Sequence, residues 1–288
     1  MRMGVVGHPR YTVLSHALGR VLECADRLGI EAFLEDALLG EAPGRPVLVP
    51  EQCETYDLLV TLGGDGTLLR GARLVADCGV PVLGINLGHL GFLTSAAPED
   101  AEAAVSAFFE GRAVMEERMA LAVRAIDAGG GECGSFLALN DAVLHKGGVA
   151  RMIRLLVRAR DEEVGSYSAD GIILSTPTGS TAYSLSAGGP IVSPSIDCIV
   201  ATPICPHTLA VRPLVLPAHE TLTVEVLSPT EELLLTIDGQ QDRRLAPGDR
   251  IVVSRAERPV RLVRFPGQSF FATLRQKLRW GDLVERER

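Results

Sequence analysis

Short, continuously apolar runs alternate with helical patterns in the first third of the chain, and this alternation limits the possible folds more than any other feature. Residues 3–6, 56–62 and 80–85 form such runs. Between the first two, apolar residues recur every three or four positions over residues 13–28, and the pattern ends at Gly29 as a helix does. Strands that are apolar on both faces and separated by helices are typical of a parallel sheet covered on both sides. We therefore expect an α/β N-terminal domain with a parallel sheet.

The pattern changes near Met119. Beyond it the apolar runs are short and rich in Val, Ile, Leu and Thr, and turn clusters such as residues 127–131 and 161–165 separate them. Residues 221–226 alternate polar and apolar side chains, as a half-buried antiparallel strand does. A length of 288 residues is enough for two domains, so we expect a mostly β C-terminal domain after the first. Residues 269–280 return to helical spacing and could pack on either domain.

The composition excludes several classes of protein. With 28 Lys and Arg against 36 Asp and Glu, the formal charge is −8, and we expect no nucleic-acid partner because such partners favour a basic surface. No window of 18 residues lacks a charge, Gly or Pro, so we expect no membrane partner. The N-terminus lacks a signal-peptide pattern, and the 6 irregularly spaced cysteines include no Cys-x-x-Cys pair. We expect reduced thiols and a cytoplasmic location.

The most informative motif is Gly-Gly-Asp-Gly-Thr at residues 63–67, which lies between an apolar run and a helical pattern. The glycines let backbone amides approach a ligand closely, and the N-terminal end of the following helix favours an anion such as phosphate. A carboxylate in such a loop repels phosphate unless a divalent cation lies between them or Asp65 meets a substrate hydroxyl, so the motif indicates phosphoryl transfer. The structural alternative is a tight turn in which Asp65 caps the helix.

Hydroxyl side chains crowd residues 176–186, where Gly and Pro also interrupt the chain. This stretch is too polar for a core strand, and it suits a pocket wall that binds phosphate, ribose or base edges through hydroxyls and backbone amides. The alternative is a surface loop that caps a helix. Residues 86–92, Asn-Leu-Gly-His-Leu-Gly-Phe, follow the third apolar run and occupy another ligand-facing edge of the sheet.

Weaker signals come from isolated polar residues. Asn140 and Asp141 follow an apolar run and could bind the vicinal hydroxyls of a ribose, although Asn-Asp is also a common turn. Residues 238–240, Asp-Gly-Gln, indicate a hairpin turn first and a ligand contact second. His145 and His207 could face the same site, but isolated histidines more often have structural roles.

In order and approximate spacing, these segments resemble the NAD kinase family. The match rests on residues 63–67, 84–93, 140–141, 170–171, 176–190, 202–209 and 212–213. A Gly-Gly-Asp-Gly loop also occurs in diacylglycerol kinases, sphingosine kinases and 6-phosphofructokinases. The Thr-Pro-Thr-Gly-Ser-Thr-Ala-Tyr-Ser and Asn-Leu-Gly-His-Leu-Gly-Phe stretches narrow the resemblance to NAD kinases.

The resemblance implies an α/β domain over residues 1–112 that carries the Gly-rich loop, a β-rich dinucleotide-binding domain over residues 113–255, and a C-terminal segment, 256–288, that packs back on the first domain. It also implies transfer of the γ-phosphoryl group of ATP, or of a phosphoryl group of inorganic polyphosphate, to the 2′-hydroxyl of the adenosine ribose of NAD, with Mg²⁺ or another divalent cation. We expect small-molecule nucleotides as partners. We also expect a homodimer or homotetramer, because exposed strand edges favour self-association.

The family motifs also assign roles to single residues. Asp65 would be the catalytic carboxylate, as a base or as a metal ligand, and the sequence shows no dedicated set of metal ligands. Asn140 and Asp141 would meet the adenosine portion of the dinucleotide, Asp170 its nicotinamide end, and residues 181–186 the base and ribose. The full set expected to bind nucleotide is Gly63, Gly64, Gly66, Thr67, Arg70, Asn86, Asn140, Asp141, Arg151, Ser168, Asp170, Thr181, Ala182, Tyr183, Ser184, Leu185, Ser186 and Gln240.

Two departures and two alternatives accompany this assignment. Asp141 stands where the family usually has Glu, and Ser168 where some members have Arg, which leaves the acceptance of NADH open. A lipid or sphingoid-base kinase could share the Gly-rich loop, but it would need an apolar acceptor pocket or a basic membrane face. A non-catalytic NAD-binding sensor could keep the pocket without turnover, and the intact Asp65 weighs against that.

Overall fold

The structure of the protein is a computed structural model that describes residues 1–89, 91–147, 152–208, 210–227 and 233–279. These residues cluster into two compact units. The first unit contains residues 1–117 and the described part of the segment from residue 260 onward, and the second contains the described part of residues 118–259. No helix within the described ranges is long and apolar enough to cross a membrane.

The helices and strands follow the chain in a simple order. The first unit begins with β1 (Arg2–Gly7), α1 (Leu14–Arg27), β2 (Glu31–Leu34), β3 (Leu58–Gly63), α2 (Asp65–Leu74), β4 (Val82–Asn86), α3 (Ala101–Phe109) and β5 (Val114–Arg118). The second unit contains β6 (Leu121–Ile126), β7 (Glu132–Ala138), β8 (Asp141–Lys146), β9 (Ile153–Ala159), β10 (Glu162–Ala169), β11 (Gly171–Ser175), α4 (Tyr183–Ser186), β12 (Cys198–Ile204), β13 (Leu214–Pro217), β14 (Leu222–Val226), β15 (Leu233–Ile237), β16 (Gln241–Leu245) and β17 (Arg250–Arg255). The chain then forms β18 (Val260–Arg264) and α5 (Phe270–Leu278).

The first unit is built around a sheet with the strand order β2-β1-β3-β4-β18-β5. β1 pairs in parallel with β2 and β3, and β4 pairs in parallel with β3 and β18. Every residue of β3 is buried, as expected for a strand that is covered on both faces. Leu18 and Val21 of α1 pack with Val5 and Leu62 of the sheet in one core. The expected α/β domain with a parallel sheet is therefore confirmed.

The C-terminal segment packs on the first unit, as the family resemblance implied. β18 joins the sheet beside β4, with Leu262 opposite Val82. α5 follows it, and the hydroxyl of Ser269 caps this helix by accepting the N–H of Ala272 at 3.2 Å. Because β5 belongs to the same sheet, the first unit extends to residue 117, whereas the family resemblance implies a boundary at residue 112.

In its described residues, the second unit consists of two antiparallel sheets. Their strand orders are β10-β9-β14-β17-β6-β7 and β13-β12-β11-β8-β15-β16. Leu121 and Val157 from the first of these sheets share a buried core with Leu144, Leu174 and Leu235 from the second. The expectation of a mostly β C-terminal domain is confirmed.

Cys53 and Cys78 form a disulfide in the first unit, so the expectation that all cysteines are reduced is wrong for this pair. Cys53 lies in the 3₁₀ turn Pro50–Thr55, and Cys78 lies in the 3₁₀ turn Ala76–Cys78 beyond the end of α2. The fold brings their Cα atoms to 5.9 Å across a sequence separation of 25, which the irregular cysteine spacing does not reveal. The free cysteines are Cys24, Cys133, Cys198 and Cys205.

Candidate active site

The Gly-rich loop lies at the carboxyl end of β3, where the chain enters α2. Gly63 is the last residue of β3, and a Cβ at this position would lie 2.1 Å from Oγ1 of Thr67. The first turn of the helix therefore approaches the strand so closely that only glycine fits. Gly64 precedes the helix, and Gly66 is exposed in its first turn. This end of α2 has the form of the anion site that the motif predicts, and phosphate binding there stays a prediction.

Asp65, the first residue of α2, accepts three backbone hydrogen bonds from the segment after β4. Its Oδ2 accepts the N–H of Phe92 at 2.8 Å, and its Oδ1 accepts those of Leu93 at 3.0 Å and Thr94 at 3.3 Å. A Cβ on Gly91 would lie 1.9 Å from Oδ1, so the segment lies as close to the carboxylate as glycine allows. Asp65 therefore orders this segment, a role that the sequence does not indicate.

Asn86 closes the turn that follows β4. Its Nδ2 donates to the carbonyl of His89 at 2.8 Å, and its Oδ1 accepts the N–H of Gly88 at 3.1 Å. The side chain thus holds the turn at the carboxyl edge of the sheet, where ligands of parallel sheets bind. Its expected contact with nucleotide stays a prediction.

Arg70 lies on α2 and makes its contacts inside the first unit. Its guanidinium forms an ion pair with Glu35 and donates to the carbonyl of Gly7 at 2.8 Å. Glu35 in turn accepts the N–H of Gly7 at 3.3 Å. These bonds tie α2 to the end of β1, so the structure accounts for Arg70 without a ligand, and its contact with phosphate stays a prediction.

A cavity of about 480 Å³ opens in the second unit. Its wall combines carboxyl, amide, hydroxyl and ammonium groups with the apolar Val143 and Ile204, a mixture that suits a small polar ligand. The lining residues are Asn140, Asp141, Val143, His145, Lys146, Asp170, Ala182, Tyr183, Ile204, Thr236, Asp238 and Gly239. Five of the residues expected to bind the dinucleotide are thus brought together: Asn140, Asp141, Asp170, Ala182 and Tyr183.

Other expected contacts of the second unit are placed elsewhere in its described part. Ser184 is buried, and its hydroxyl hydrogen-bonds to that of Thr202 at 2.8 Å. Thr181 donates its hydroxyl to the carbonyl of Thr178 at 3.3 Å. The expected contacts that the structure describes but does not place in the cavity wall are Thr181, Ser184, Leu185, Ser186, Ser168 and Gln240. Arg151 lies outside the described residues.

Asp141 and Asp238 place two carboxyl groups in the cavity wall. Asp141 is only 4% exposed, and this burial, together with the charge of Asp238, raises its pKa to about 7. Asp238 accepts the N–H groups of Leu139 at 3.2 Å, Asn140 at 2.7 Å and Asp141 at 3.1 Å. The three N–H donors stabilise the ionised form of Asp238. Asp141 is therefore the carboxyl that takes up a proton near neutral pH.

Sequence reasoning missed Val143, Lys146, Ile204 and Thr236. The Nζ of Lys146 forms an ion pair with Oδ1 of Asp170 at 2.7 Å. A cation therefore lies beside a residue that is expected to contact the dinucleotide. His145 hydrogen-bonds through Nδ1 to the carbonyl of Lys146 at 2.8 Å. The period of two along β8, which places residues 141, 143 and 145 on one face, is the signal that could have found part of this wall.

A parallel sheet with a Gly-Gly-Asp-Gly loop at its carboxyl edge, together with a β-rich unit that holds a polar cavity, defines a nucleotide-binding enzyme of the kinase class. Two family models match the chain: the ATP-NAD kinase N-terminal domain over residues 43–113 and the ATP-NAD kinase C-terminal domain over residues 139–265. The chain belongs to the NAD kinase family.

Individual relatives agree with this assignment. The NAD kinase of Gemmatimonas aurantiaca is 50% identical over 287 residues, which cover 100% of this chain and 99% of that protein. The NAD kinase of Symbiobacterium thermophilum is 46% identical over 261 residues, 90% of this chain and 92% of that protein. Yeast NADH kinase in complex with NADH matches with a TM-score of 0.90 at 28% identity, over 100% of this chain and 90% of that one. An NAD kinase from Archaeoglobus fulgidus in complex with ATP matches with a TM-score of 0.77 at 29% identity, over 97% of this chain and 99% of that one. The lipid-kinase and sensor alternatives find no support in these comparisons.

Proposed function

We propose that the protein transfers the γ-phosphoryl group of ATP, or a phosphoryl group of inorganic polyphosphate, to the 2′-hydroxyl of the adenosine ribose of NAD, giving NADP. The observation that carries this proposal is the cavity of the second unit, which gathers Asn140, Asp141, Asp170, Ala182 and Tyr183 from distant parts of the sequence. Amide and carboxyl oxygens in such a wall can accept hydrogen bonds from ribose hydroxyls. The ligands of the two solved relatives, NADH and ATP, support a dinucleotide acceptor and ATP as the donor.

Asp65 is the group that acts on the acceptor hydroxyl in this proposal. Each carboxylate oxygen has two lone pairs. Oδ1 accepts two N–H groups and Oδ2 accepts one, so Oδ2 keeps a lone pair for the hydroxyl. Because a ribose hydroxyl is a much weaker acid than an aspartic acid, Asp65 aligns the hydroxyl for in-line attack and accepts its proton late in a loose transition state.

Phosphoryl transfer from ATP ordinarily uses a divalent cation such as Mg²⁺, which neutralises charge on the donor phosphates when it is bound. In the described part of the chain, no group of three or more His, Cys, Asp or Glu side chains is arranged to hold a metal ion. Mg²⁺ commonly keeps several waters and uses one or two carboxylates together with substrate phosphates. We therefore propose that donor phosphates and waters supply the ligands of the cation, because the one lone pair of Asp65 that its backbone partners leave is assigned to the acceptor hydroxyl.

A cytoplasmic location and self-association belong to the same proposal. β13 is an edge strand, and its Leu214 and Val215 are 41% and 47% exposed. Apolar side chains on an edge strand favour pairing with a second copy of the chain. Light scattering after gel filtration should show a homodimer or homotetramer, and a monomer at micromolar concentration would contradict this part of the proposal.

Product analysis of the purified chain tests the reaction directly. After incubation with NAD, Mg²⁺ and either ATP or polyphosphate, we expect a product heavier than NAD by one phosphoryl group. An NADP-specific dehydrogenase should accept this product, which places the phosphate on the 2′ position, and a reaction without donor is the control. Bound but unmodified NAD would indicate a sensor, and phosphorylation of diacylglycerol or a sphingoid base in a parallel reaction would indicate a lipid kinase. Either result would contradict the proposal.

A further inference from the structure

Arg264, the last residue of β18, contacts the segment that binds Asp65, but from its carbonyl side. Nη2 donates to the carbonyl of Phe92 at 3.0 Å, and Nη1 donates to the carbonyls of Leu93 at 3.0 Å and Thr94 at 3.3 Å. The side chain of Arg264 is only 14% exposed, so these bonds form largely out of contact with water. Residues 92–94 are thus held by a cation on one side and by a carboxylate on the other.

Two peptide groups connect the two charges directly. The peptide that joins Phe92 to Leu93 accepts from Arg264 at its oxygen and donates its N–H to Asp65. The peptide that joins Leu93 to Thr94 does the same. Hydrogen bonds in a chain polarise one another, so the guanidinium strengthens each N–H as a donor to the carboxylate. These two peptides therefore link Asp65 to a residue that lies 199 positions later in the chain.

Further contacts fix the guanidinium itself. Nε donates to Oε2 of Glu116 at 2.6 Å, and Nη1 donates to Oγ of Ser95 at 3.1 Å. The Ser95 hydroxyl in turn donates to the carbonyl of Val263 at 2.6 Å. Nη1 has two hydrogens for three acceptors, so one of these hydrogens is shared between two of them. With that sharing, a planar guanidinium contacts all five acceptors, whereas the single ammonium of a lysine cannot reach them all.

We propose that Arg264 is a positioning residue for phosphoryl transfer, which acts through residues 92–94 to hold the Asp65 carboxylate with Oδ2 turned to the acceptor hydroxyl. This inference rests on the catalytic role proposed for Asp65. The C-terminal segment then contributes to catalysis, because its strand β18 supplies the cation that binds the carbonyls of residues 92–94.

Replacement of Arg264 tests the proposal. Arg264→Gln should lower kcat by about 10- to 100-fold, the range expected when a reacting group is displaced by a fraction of an ångström to an ångström. KM for NAD should stay within about twofold, because the cavity that we assign to NAD contains none of these residues. Arg264→Lys should recover less than half of the lost rate. Arg261→Gln is the matched control, since Arg261 lies on the same strand and makes no hydrogen bond to residues 92–94 in the described structure, and it should keep wild-type kcat.

A double-mutant cycle separates positioning from a merely structural role. In the Asp65→Asn background, Arg264→Gln should change kcat by less than about twofold, because the group that it positions is already gone. If the two single effects multiply instead, the inference about Arg264 is overturned. If Asp65→Asn by itself keeps wild-type turnover, the proposed role of Asp65 fails, and the two failures are therefore distinguishable. Should Arg264→Gln not fold, as judged by its thermal transition, Arg264→Lys gives the same comparison.

Discussion

The backbone N–H of Asp141 donates to Oδ1 of Asp238 at 3.1 Å, and both residues line the same cavity. A carboxyl whose pKa is raised to about 7 thus lies next to one that accepts three backbone N–H groups. Burial is the larger cause of the raised pKa of Asp141, and the charge of Asp238 is the smaller one. The charge of the cavity that we assign to NAD therefore changes near neutral pH.

NAD binding should strengthen as the pH rises from about 6 to about 8. An ionised Asp141 can accept hydrogen bonds from vicinal ribose hydroxyls at both oxygens, whereas the protonated form has lost part of this capacity. We expect the Kd for NAD to fall by about 3- to 10-fold over this range, which corresponds to roughly half to one pKa unit of coupling. Calorimetric titrations at several pH values measure this Kd. Asp141→Asn should remove most of the dependence, and His145→Gln, a change at a titratable neighbour in the same wall, should retain it. An equal wild-type affinity at both ends of the range would contradict the prediction.

The same carboxyl should make the folded protein less stable as the pH rises. In the unfolded chain Asp141 loses its proton near the usual value of about 4, but in the folded protein it keeps the proton until about pH 7. Between these values the folded state binds more protons than the unfolded state, so the free energy of unfolding falls by up to about 1.4 kcal/mol for each pH unit. Asp141→Asn should remove this fall in the free energy of unfolding with rising pH. Urea unfolding should show the variant gaining stability relative to wild type from about pH 4 to about pH 7, and a pH-independent difference would show that the pKa is not raised.

Asp238→Asn should lower the stability by about 1–3 kcal/mol and also lower the pKa of Asp141. The amide keeps one acceptor oxygen for the three N–H groups that Asp238 now binds, so buried donors lose charge-assisted bonds. Loss of the neighbouring negative charge removes one cause of the raised pKa. Urea unfolding and the midpoint of the pH dependence of NAD binding check the two effects. Asp161→Asn, in the exposed turn between β9 and β10, should change neither.

Local motifs could be predicted from the sequence because their physical requirements are local. Gly63 requires only that a strand and the helix after it approach closely, and the structure shows that approach to Thr67. The turn at Asp238 and Gly239 likewise follows from its dipeptide, since both residues have positive φ angles of 50° and 64°. Such features depend on a few consecutive residues, so the amino-acid sequence alone is enough to predict them.

Contacts between distant segments could not be predicted in this way. Lys146 meets Asp170 because β8 and β11 pair in a register that sets His145 opposite Gly171. Alternating polarity shows which face of a strand is buried, but it does not show which strand lies beside it. The partners of Asp65 on the 92–94 segment were missed for the same reason, because they depend on how two loops meet at the sheet edge.

Asp65→Asn should lower kcat by at least about 100-fold while the Kd for NAD stays nearly unchanged. The amide cannot accept a proton from the hydroxyl, and losses of this size are typical when a general base is removed. The cavity assigned to NAD contains no residue of the Gly-rich loop, so binding should persist. Steady-state kinetics and calorimetry measure the two quantities, and Asp100→Asn, at the exposed start of α3, is the control that should keep wild-type kcat. Turnover close to that of the wild type would remove the base role.

Gly91→Ala tests whether the bonds between Asp65 and its backbone partners matter for turnover. The new Cβ would lie 1.9 Å from Oδ1 and 2.5 Å from Cγ of Asp65. Since a carboxylate is the end of a side chain, it can swing away at a modest cost in stability, but it then leaves the N–H groups of residues 92–94. We expect kcat to fall by about 10- to 100-fold and the melting temperature to fall by only about 2–4 °C. Gly19→Ala is the matched control, because a Cβ there meets nothing within 4 Å in the described structure and alanine favours the helix. If Gly91→Ala and Gly19→Ala turn over equally fast, the hydrogen bonds from residues 92–94 to Asp65 have no catalytic consequence.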